Sequence, residues 1–365
     1  MAFLLNKKSH VVTAFFILGI IFSLGFDPYN LPFISILSIG IFFLLNDYIY
    51  SHFKKNFIFF FLTGLAFGFS FFLFSMYWVS NSVLVYPDLN YLIPIPLIGL
   101  PLILGTFYGL MQVSNFLFWN NNATRIFYFS IFWTLFEIIR GTFFTGLPWN
   151  LVAYSWTWSL SIMQSLSIFG VYGLCFISCI ISSSLFFSMF KKNTLLYPLI
   201  SIFILSLIFI YGYVRIDNYH DSYESSQEVR LISSNFEQNN KWSQESINKV
   251  MQLGSKDKLS IFPETSIGFT KNIPNNWITG SVRKENEKYY NSMQYDGDFY
   301  NKQKLVPFTE FLPFESFLRL LDFNKLIPKN FFSAGKDGQD FNRKLLPSIC
   351  YEGIFPMQIL SKVTD

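Results

Sequence analysis

One cysteine in the C-terminal third of the chain, Cys350, has the surroundings of a nucleophile. It lies in LLPSICYEGIFP, between a short apolar run and an acidic residue. Cys175 and Cys179 instead lie in a long hydrophobic segment, where a thiol is most often a small apolar side chain. The segment RKLLPSIC is typical of a strand and FPMQILSK of the start of a helix, which predicts a sharp corner that exposes the thiol. We expect the helix N-terminus to lower the pKa of Cys350 and to favour the thiolate.

A cysteine nucleophile needs a base, and here carboxylates are better candidates than histidines. The chain has three histidines, all beside predicted membrane spans: His10, His52 and His220. Glu264, in IFPETS, closely follows a predicted strand, and Pro263 stiffens the approach to it. Lys302, in FYNKQKLVPFTEF, supplies a cation that can stabilise both a thiolate and an oxyanion. These residue types together are those of covalent catalysis through a cysteine.

Each of these residues also has an ordinary explanation when it is taken alone. Cys350 can be an inert, half-buried thiol. Lys302 can be a solvated lysine at a strand end, and Glu264 can cap a turn. Glu310 and Glu352 can pair with surface lysines with little energetic consequence. Only the ordered occurrence of the three motifs in one segment of the chain favours a shared catalytic role.

The residues named above come after a long, predominantly hydrophobic segment of the chain. Of 365 residues 52% are hydrophobic and only 14% are charged, whereas about a quarter of the residues of an ordinary soluble domain are charged. This composition predicts a membrane protein with several spans. The net charge is +4, but the basic residues form isolated pairs and no cluster that could neutralise several phosphates, which argues against nucleic acid as a partner.

Seven apolar runs are long enough, or nearly so, to cross a bilayer: 11–26, 31–46, 57–79, 91–118, 126–139, 159–190 and 195–214. The first run follows two lysines, but no small-residue cleavage site comes after it, so we interpret it as a retained span and not as a signal peptide. The basic residues of the connecting segments fall on one side, at Lys7, Lys8, Lys54, Lys55, Arg125, Lys191 and Lys192. The opposite loops contain a single lysine or arginine, Arg140; these loops are 27–30, 80–90 and 140–158. The positive-inside rule then places the N-terminus in the cytoplasm and everything beyond Val214 outside it.

The sequence predicts three parts: a transmembrane bundle over residues 1–214, a tether over 215–227 and a second domain over 228–365. From about residue 215 the composition becomes charged and polar, with short segments such as VRLISSNF and LSIFPETS that are typical of strands. The short tether keeps the second domain close to the membrane surface. Any active site that the second domain carries must therefore work near the lipid.

The motifs FPETS, YNKQKLVPFTEFLPFE and ICYEGIFP, in that order behind a helical bundle, resemble those of apolipoprotein N-acyltransferases in the nitrilase superfamily. FDPYNLPF and FTGLPWNLVAYS resemble that family's membrane part. The resemblance implies that Glu264 is the general base, that Lys302 stabilises the oxyanion and that Cys350 is the nucleophile that becomes an acyl thioester. It also implies that Glu310 and Glu352 are accessory acids. Trp242 matches a family tryptophan near the substrate entrance. Thr309 stands where the family usually has glycine, which raises the question of the backbone geometry before Glu310.

The resemblance also implies the fold and the reaction. The expected fold is a membrane α-helical bundle of about seven spans followed by an extracytoplasmic α/β nitrilase-like αββα sandwich. The expected reaction is N-acylation of the diacylglyceryl-modified N-terminal cysteine of a lipoprotein, with a phospholipid as acyl donor and with no cofactor and no metal. The expected location is the bacterial inner membrane, with the catalytic domain on the periplasmic side.

Two alternatives remain compatible with the residues. A membrane-tethered nitrilase-type amidase with a small soluble substrate would use the same glutamate, lysine and cysteine. A transporter would need ionisable residues along a pathway inside the spans, which are nearly free of them apart from Glu137. Glu137 and Arg140 are three residues apart, and we expect them to form a structural ion pair that faces the bundle interior.

Two further expectations concern the C-terminal segments. Residues 311–332, FLPFESFLRLLDFNKLIPKNFF, are far more apolar than the rest of the second domain. They predict either an arm that dips into the outer leaflet or an ordinary core-packing helix. The resemblance implies further strands and helices after the Cys350 corner and a closing eighth span. The chain is therefore expected to be incomplete at its C-terminus, and inactive without the missing part.

Overall fold

The computed structural model describes residues 7–31, 33–53, 56–84, 87–189, 194–219, 228–236, 240–268, 273–307, 309–311, 332–336, 341, 345–355 and 359. The chain divides into two compact units, Met1–His220 and Asp221–Asp365. Of the predicted apolar arm only residues 311 and 332 fall within the described residues, and of the predicted helix after Cys350 only Phe355 and Ile359 do.

The regular secondary structure of the first unit, in its described residues, is helical. Its α-helices are α1 Lys8–Ser23, α2 Ile34–His52, α3 Phe57–Met76, α4 Asn81–Leu84, α5 Leu100–Phe118, α6 Thr124–Thr142, α7 Leu160–Met163, α8 Leu166–Met189 and α9 Leu196–Asp217. Shorter 3₁₀ or π turns lie at Tyr77–Ser80, Pro87–Leu92, Ile95–Gly99 and Val152–Trp156. Each of the seven predicted apolar runs overlaps one long helix. Gly170, at φ +65°, interrupts α8 with a kink.

Five helical segments of this unit are long and apolar enough to cross a membrane: Ile34–His52, Phe57–Leu84, Asn90–Phe118, Leu166–Ser188 and Leu196–Asp217. Helix α1 is apolar but has only 16 residues. Helix α6 has 19 residues and carries Arg125, Glu137 and Arg140. The first unit is therefore the helical membrane part of the chain, while the count of seven spans stays a prediction.

Buried aromatic rings form much of the core of the bundle. Phe22 and Phe71 have ring centroids 4.7 Å apart, and Phe42 lies 4.9 Å from Phe67 and 5.3 Å from Trp133. Tilted and edge-on contacts of this kind are the favoured geometry for aromatic pairs. Many of the phenylalanines thus serve packing inside the bundle.

Glu137 and Arg140 do not form the predicted ion pair, and each binds backbone groups instead. Both side chains are buried, but the carboxylate accepts a hydrogen bond from the backbone N–H of Val152 at 3.2 Å. The Nη1 of Arg140 donates to the carbonyls of Leu147 and Trp149 at 2.6 and 2.9 Å. The two residues lie one turn apart on α6, and each reaches the loop that follows the helix instead of its neighbour. Their role is structural, because they hold the backbone of that loop against α6.

The second unit contains one mixed β-sheet in its described residues. Its elements are β1 Val229–Leu231, α10 Gln244–Leu253, β2 Leu259–Ile261, β3 Trp277–Glu285, β4 Lys288–Tyr295 and β5 Asp298–Asn301. The strands lie in sequence order; β1, β2 and β3 are parallel, and β4 runs antiparallel to both β3 and β5. The predicted strands in VRLISSNF and LSIFPETS are confirmed as β1 and β2. The unit therefore combines α-helix and β-sheet, and the nitrilase-like αββα sandwich stays a prediction.

The segment before Cys350 is extended but belongs to none of the five strands, so the predicted strand is absent from its described part, Leu345–Ile349. It is held by packing instead, because Ile349 joins Tyr300 and Phe341 in a buried cluster. Cys350 then opens a 3₁₀ turn, Cys350–Ile354, and has φ +47°. The corner is therefore made by a left-handed residue and a short turn.

Candidate active site

The strand directions bring Glu264 and Lys302 to one edge of the sheet. Because β4 is antiparallel to both β3 and β5, β5 runs in the same direction as β2 and β3. Glu264 comes three residues after the end of β2, and Lys302 comes directly after β5. The carboxyl ends of strands that run in one direction lie at the same edge of a sheet, which is where α/β proteins usually place their reactive groups.

The turn that carries Glu264 is packed against the backbone of β3. A Cβ at Gly280 would lie 2.3 Å from the nitrogen of Thr265 and 2.7 Å from the Cα of Glu264. Only glycine allows this approach. Thr265 itself has φ +47°, an unusual conformation for a β-branched residue. The base candidate thus sits on a strained turn that its surroundings must hold in place.

Two side chains from the segment before α10 hold that turn. The Nζ of Lys241 donates to the carbonyl of Glu264 at 3.0 Å and to the hydroxyl of Thr265 at 2.7 Å. The indole N–H of Trp242 donates to the carbonyl of Thr265 at 2.9 Å, while 45% of this residue stays exposed. Trp242 therefore contacts the turn that carries Glu264 and also presents an aromatic surface to solvent.

Lys302 lies buried between two carboxylates. Its Nζ is 3.1 Å from Oε1 of Glu264 and 3.0 Å from Oε1 of Glu310, and the residue is 1% exposed. The Nδ2 of Asn291, on β4, donates to the same two oxygens at 2.6 and 2.7 Å. The other oxygen of Glu310 accepts from the backbone N–H of Val306 at 2.8 Å. One ammonium and one amide thus join both carboxylates into a single network.

Glu352 fixes the turn that carries Cys350. Its Oε1 accepts hydrogen bonds from the hydroxyl of Tyr300 at 2.7 Å and from the backbone N–H of Gln303 at 2.8 Å. Its Oε2 accepts from the N–H of Ile349 at 2.8 Å. The buried carboxylate therefore ties the residue before Cys350 to the residue after Lys302.

The thiol of Cys350 lies within hydrogen-bonding reach of the Glu264 carboxylate, and Cys350 is exposed while Cys175 and Cys179 are buried. Although the residue is exposed, its thiol is partly desolvated by the site, and this desolvation and the negative charge of Glu264 raise the pKa of Cys350 above its ordinary value, against the opposing effect of Lys302. The expectation of a thiol activated by a helix N-terminus is therefore wrong. The short turn does not outweigh a neighbouring carboxylate, and the resting group is the thiol.

Glu264 has the protonation behaviour of a base. Burial raises its pKa, but the charge of Lys302 and hydrogen bonds from Asn291, Lys302 and Cys350 outweigh burial, so that the pKa lies below its ordinary value. Burial lowers the pKa of Lys302, but Glu264 and Glu310 outweigh this and raise it. At neutral pH the ionised carboxylate of Glu264 therefore contacts both the Cys350 thiol and the Lys302 ammonium.

Comparison with known proteins identifies the family of the chain. A family model described as the apolipoprotein N-acyltransferase N-terminal domain matches residues 18–184. The apolipoprotein N-acyltransferase of Rickettsia typhi is 33% identical over 346 residues, which are 83% of this chain and 68% of the relative. The chain belongs to the apolipoprotein N-acyltransferase family. The enzyme of Rickettsia prowazekii is 33% identical over 80% of this chain, and that of Rhodopseudomonas palustris is 27% identical over 82%. The chain spans 66% and 65% of the length of these two relatives.

The structure brings together most of the residues that the resemblance to apolipoprotein N-acyltransferases singles out. Glu264, Lys302, Glu310 and Cys350 form one cluster. Trp242 contacts the turn after Glu264, and Glu352 supports the Cys350 turn. Thr309, which stands where this family usually has glycine, is not among the described residues with positive φ. The backbone before Glu310 therefore accommodates a side chain at this position.

Sequence reasoning missed three residues that support the cluster: Lys241, Asn291 and Tyr300. Lys241 directly precedes Trp242 and holds the carbonyl of Glu264. Tyr300 donates to Glu352, and Asn291 bridges Glu264 and Glu310. A tyrosine and an asparagine within short alternating strands give no signal of their own. Their partners become visible only when β4 and β5 are paired.

Proposed function

We propose that this chain transfers an acyl group from a phospholipid to the N-terminal diacylglyceryl-cysteine of a lipoprotein, through a thioester on Cys350. The observation that carries the proposal is the contact of a cysteine thiol, a carboxylate and a buried ammonium at one sheet edge. This is the set of groups that nucleophilic acyl transfer requires. The names of the related proteins support the choice of lipoprotein as acceptor.

In the first step Glu264 takes the proton from the Cys350 thiol as the sulfur attacks the carbonyl carbon of the phospholipid ester. The raised pKa of Cys350 makes a base necessary, and the lowered pKa of Glu264 keeps that base ionised. The ammonium of Lys302 stabilises the negative charge that forms on the carbonyl oxygen. The C–O ester bond then breaks, and the leaving lysophospholipid oxygen takes the proton held by Glu264.

In the second step the α-amine of the acceptor cysteine attacks the thioester carbon. Glu264 accepts a proton from that amine, the C–S bond breaks, and the sulfur of Cys350 regains a proton. The product is an amide, and the site returns to its starting protonation state. This scheme is balanced without an oxidant, a metal or a cofactor.

The proposal includes the arrangement of the chain in the membrane. A bundle of seven spans over residues 1–214, a tether over 215–227 and a nitrilase-like αββα catalytic domain from 228 would place the site on the periplasmic face of the inner membrane. The distribution of lysines and arginines supports this orientation. A site close to the bilayer suits a donor whose acyl chains lie in the outer leaflet.

Trapping of the acyl-enzyme tests the proposal. A version of the chain extended at its C-terminus to the length of its relatives is incubated in detergent micelles with radiolabelled phospholipid. The label on the protein is measured before and after treatment with hydroxylamine, which cleaves thioesters. We expect label that hydroxylamine removes, and transfer of that label to a diacylglyceryl-cysteine peptide. Label that passes only to water would indicate an amidase or esterase instead.

Cysteine substitutions provide the control. Cys350→Ala is expected to abolish labelling while leaving membrane insertion intact. Cys179→Ala is expected to leave labelling unchanged, because this thiol is buried inside α8. Normal labelling of Cys350→Ala would remove Cys350 from the mechanism.

A further inference from the structure

Asn291 lies at the centre of the cluster, although neither its sequence context nor the family motifs single it out. It is the fourth residue of β4, is 2% exposed and pairs with Val282 of β3. Its backbone carbonyl accepts a hydrogen bond from the backbone N–H of Lys302 at 2.8 Å. The strand pairing thus fixes the position of Asn291 relative to Lys302 before any side chain is considered.

The side-chain amide of Asn291 contacts both carboxylates. Its Nδ2 lies 2.6 Å from Oε1 of Glu264 and 2.7 Å from Oε1 of Glu310. Carboxylates only accept hydrogen bonds, so the NH₂ end of the amide must face them. The two amide hydrogens are therefore both used, one for each glutamate.

Charge explains why a neutral donor is needed at this place. Four titratable groups face Glu264: Lys302, Glu310, Cys350 and Lys241. The ammonium of Lys241 is directed at the backbone carbonyl of Glu264 and at a hydroxyl. Lys302 alone must therefore serve two carboxylates, and a second donor has to hold them in place without adding charge.

We infer that Asn291 is a positioning residue that holds the Glu264 and Glu310 carboxylates around Lys302, so that Glu264 remains available as the base for Cys350. The inference rests on the proposed function for the identity of the reaction, but its geometry involves only the cluster. Without the amide, Glu264 loses a hydrogen bond that favours its ionised form. Asn291 contacts no reacting atom and acts only through Glu264 and Glu310.

The test uses a probe that does not need a phospholipid site. The full chain in detergent is treated with p-nitrophenyl acetate, and the rate of acylation of Cys350 is measured as a function of pH, with Cys350→Ala as the blank. For Asn291→Ala we expect the acid limb of this profile to move up by about one pH unit. At neutral pH Glu264 stays ionised in both proteins, so the rate there should fall about tenfold only because its carboxylate is no longer held in place beside the thiol. Asn291→Asp, which adds a third carboxylate, should move the limb further.

Ser292→Ala is the matched control. Ser292 is the next residue of β4, is 0% exposed and donates one buried hydrogen bond, to Asn301 at 2.6 Å. Its loss should reduce the amount of folded protein without moving the acid limb. If Asn291→Ala behaves in the same way, Asn291 is structural only and the inference is overturned.

The proposed function and this inference can fail separately. If phospholipid gives no thioester but the ester probe still shows an acid limb that moves with Asn291→Ala, the proposed function fails and the role of Asn291 stands. If the unsubstituted chain shows no acid limb at all, Glu264 is not the base and the inference falls.

Discussion

Replacement of Lys302 by methionine should leave two carboxylates without the cation between them. Methionine keeps most of the length and the apolar stem of lysine, so the change removes charge with little change in packing. Lys302 is 1% exposed, and the side chains of Glu264 and Glu310 are 31% and 9% exposed. Loss of one partner from a buried ion pair costs about 3–5 kcal/mol. Because Glu264 is partly solvated, we expect the lower limit, about 3 kcal/mol.

Hydrogen exchange of the β4 and β5 amides measures this cost where it arises. A loss of about 3 kcal/mol corresponds to exchange that is roughly 10²-fold faster. Peptides from α3 and α8, in the other unit, serve as internal controls and should be unchanged. Thioester formation should be lost, because the oxyanion has no counter-charge and the base is no longer held ionised.

The contribution of Glu264 to stability should depend on pH in opposite directions with and without Lys302. In the unsubstituted chain the pKa of Glu264 is lowered, so its contribution to stability is present above its unfolded pKa and is lost as pH falls through the folded pKa. In Lys302→Met burial acts without the lysine, and the folded pKa of Glu264 should exceed the unfolded value. Its contribution is then present at low pH and lost as pH rises. The difference in exchange between the two proteins should therefore shrink on acidification.

A double substitution separates charge from packing. Lys302→Met with Glu310→Gln removes one carboxylate together with the cation. We expect the β4 and β5 amides of the double variant to exchange at least tenfold more slowly than those of Lys302→Met, while the double variant remains inactive. If the double variant exchanges as fast as Lys302→Met at neutral pH, packing and not charge is the cause, and the reasoning is refuted.

Three further predictions address the surroundings of Glu264. Because its pKa lies below the ordinary value, kcat/KM should stay level on the acid side until the pH falls below the usual glutamate range, which a pH profile measures. Lys241→Met removes two hydrogen bonds to the turn and should slow thioester formation about tenfold; Lys249→Met, at an exposed lysine of α10, should not. Gly280→Ala places a Cβ 2.3 Å from the backbone nitrogen after Glu264 and should destabilise the unit by about 1–3 kcal/mol with loss of thioester formation. Gly268→Ala, whose Cβ would meet its nearest neighbour at 3.5 Å, should be tolerated.

The sequence predicted the positions of the long helices well, since apolar runs of this length have few alternatives. It predicted the ends of these helices less well, because the ends depend on the hydrogen bonds that polar side chains form. Helix α6 shows this clearly. Its apolar run ends at residue 139, but the helix continues to Thr142. Arg140 and Glu137 find partners in the backbone of the following loop, and the spacing of the two residues alone suggested the wrong pairing.

The site was predicted in its reactive residues and missed in its supports. Glu264, Lys302 and Cys350 belong to short motifs with unusual residue types, which a sequence displays directly. Asn291 and Gly280 can be recognised only through strand pairing, because Asn291 pairs with Lys302 at the end of β5 and Gly280 lies behind the Glu264 turn. The order in which the five strands pair cannot be deduced from the local periodicity of the sequence. The supporting residues therefore could not be recognised before the sheet was known.

The electrostatics of the cluster explain why its support is so extensive. A thiolate–imidazolium pair, as in papain-like enzymes, stabilises the charged nucleophile at rest. Here the partner of the thiol is a carboxylate, which raises the pKa of Cys350 and keeps the sulfur protonated. The proton must therefore move during the attack, and this requires the acceptor oxygen to stay aligned with the sulfur. Lys241 fixes the backbone of Glu264, whereas Lys302 and Asn291 fix its carboxylate. A site that forms its nucleophile only in the transition state depends on such positioning more than one that holds a thiolate ready. Substitutions of the supporting residues should accordingly lower kcat more than they raise KM.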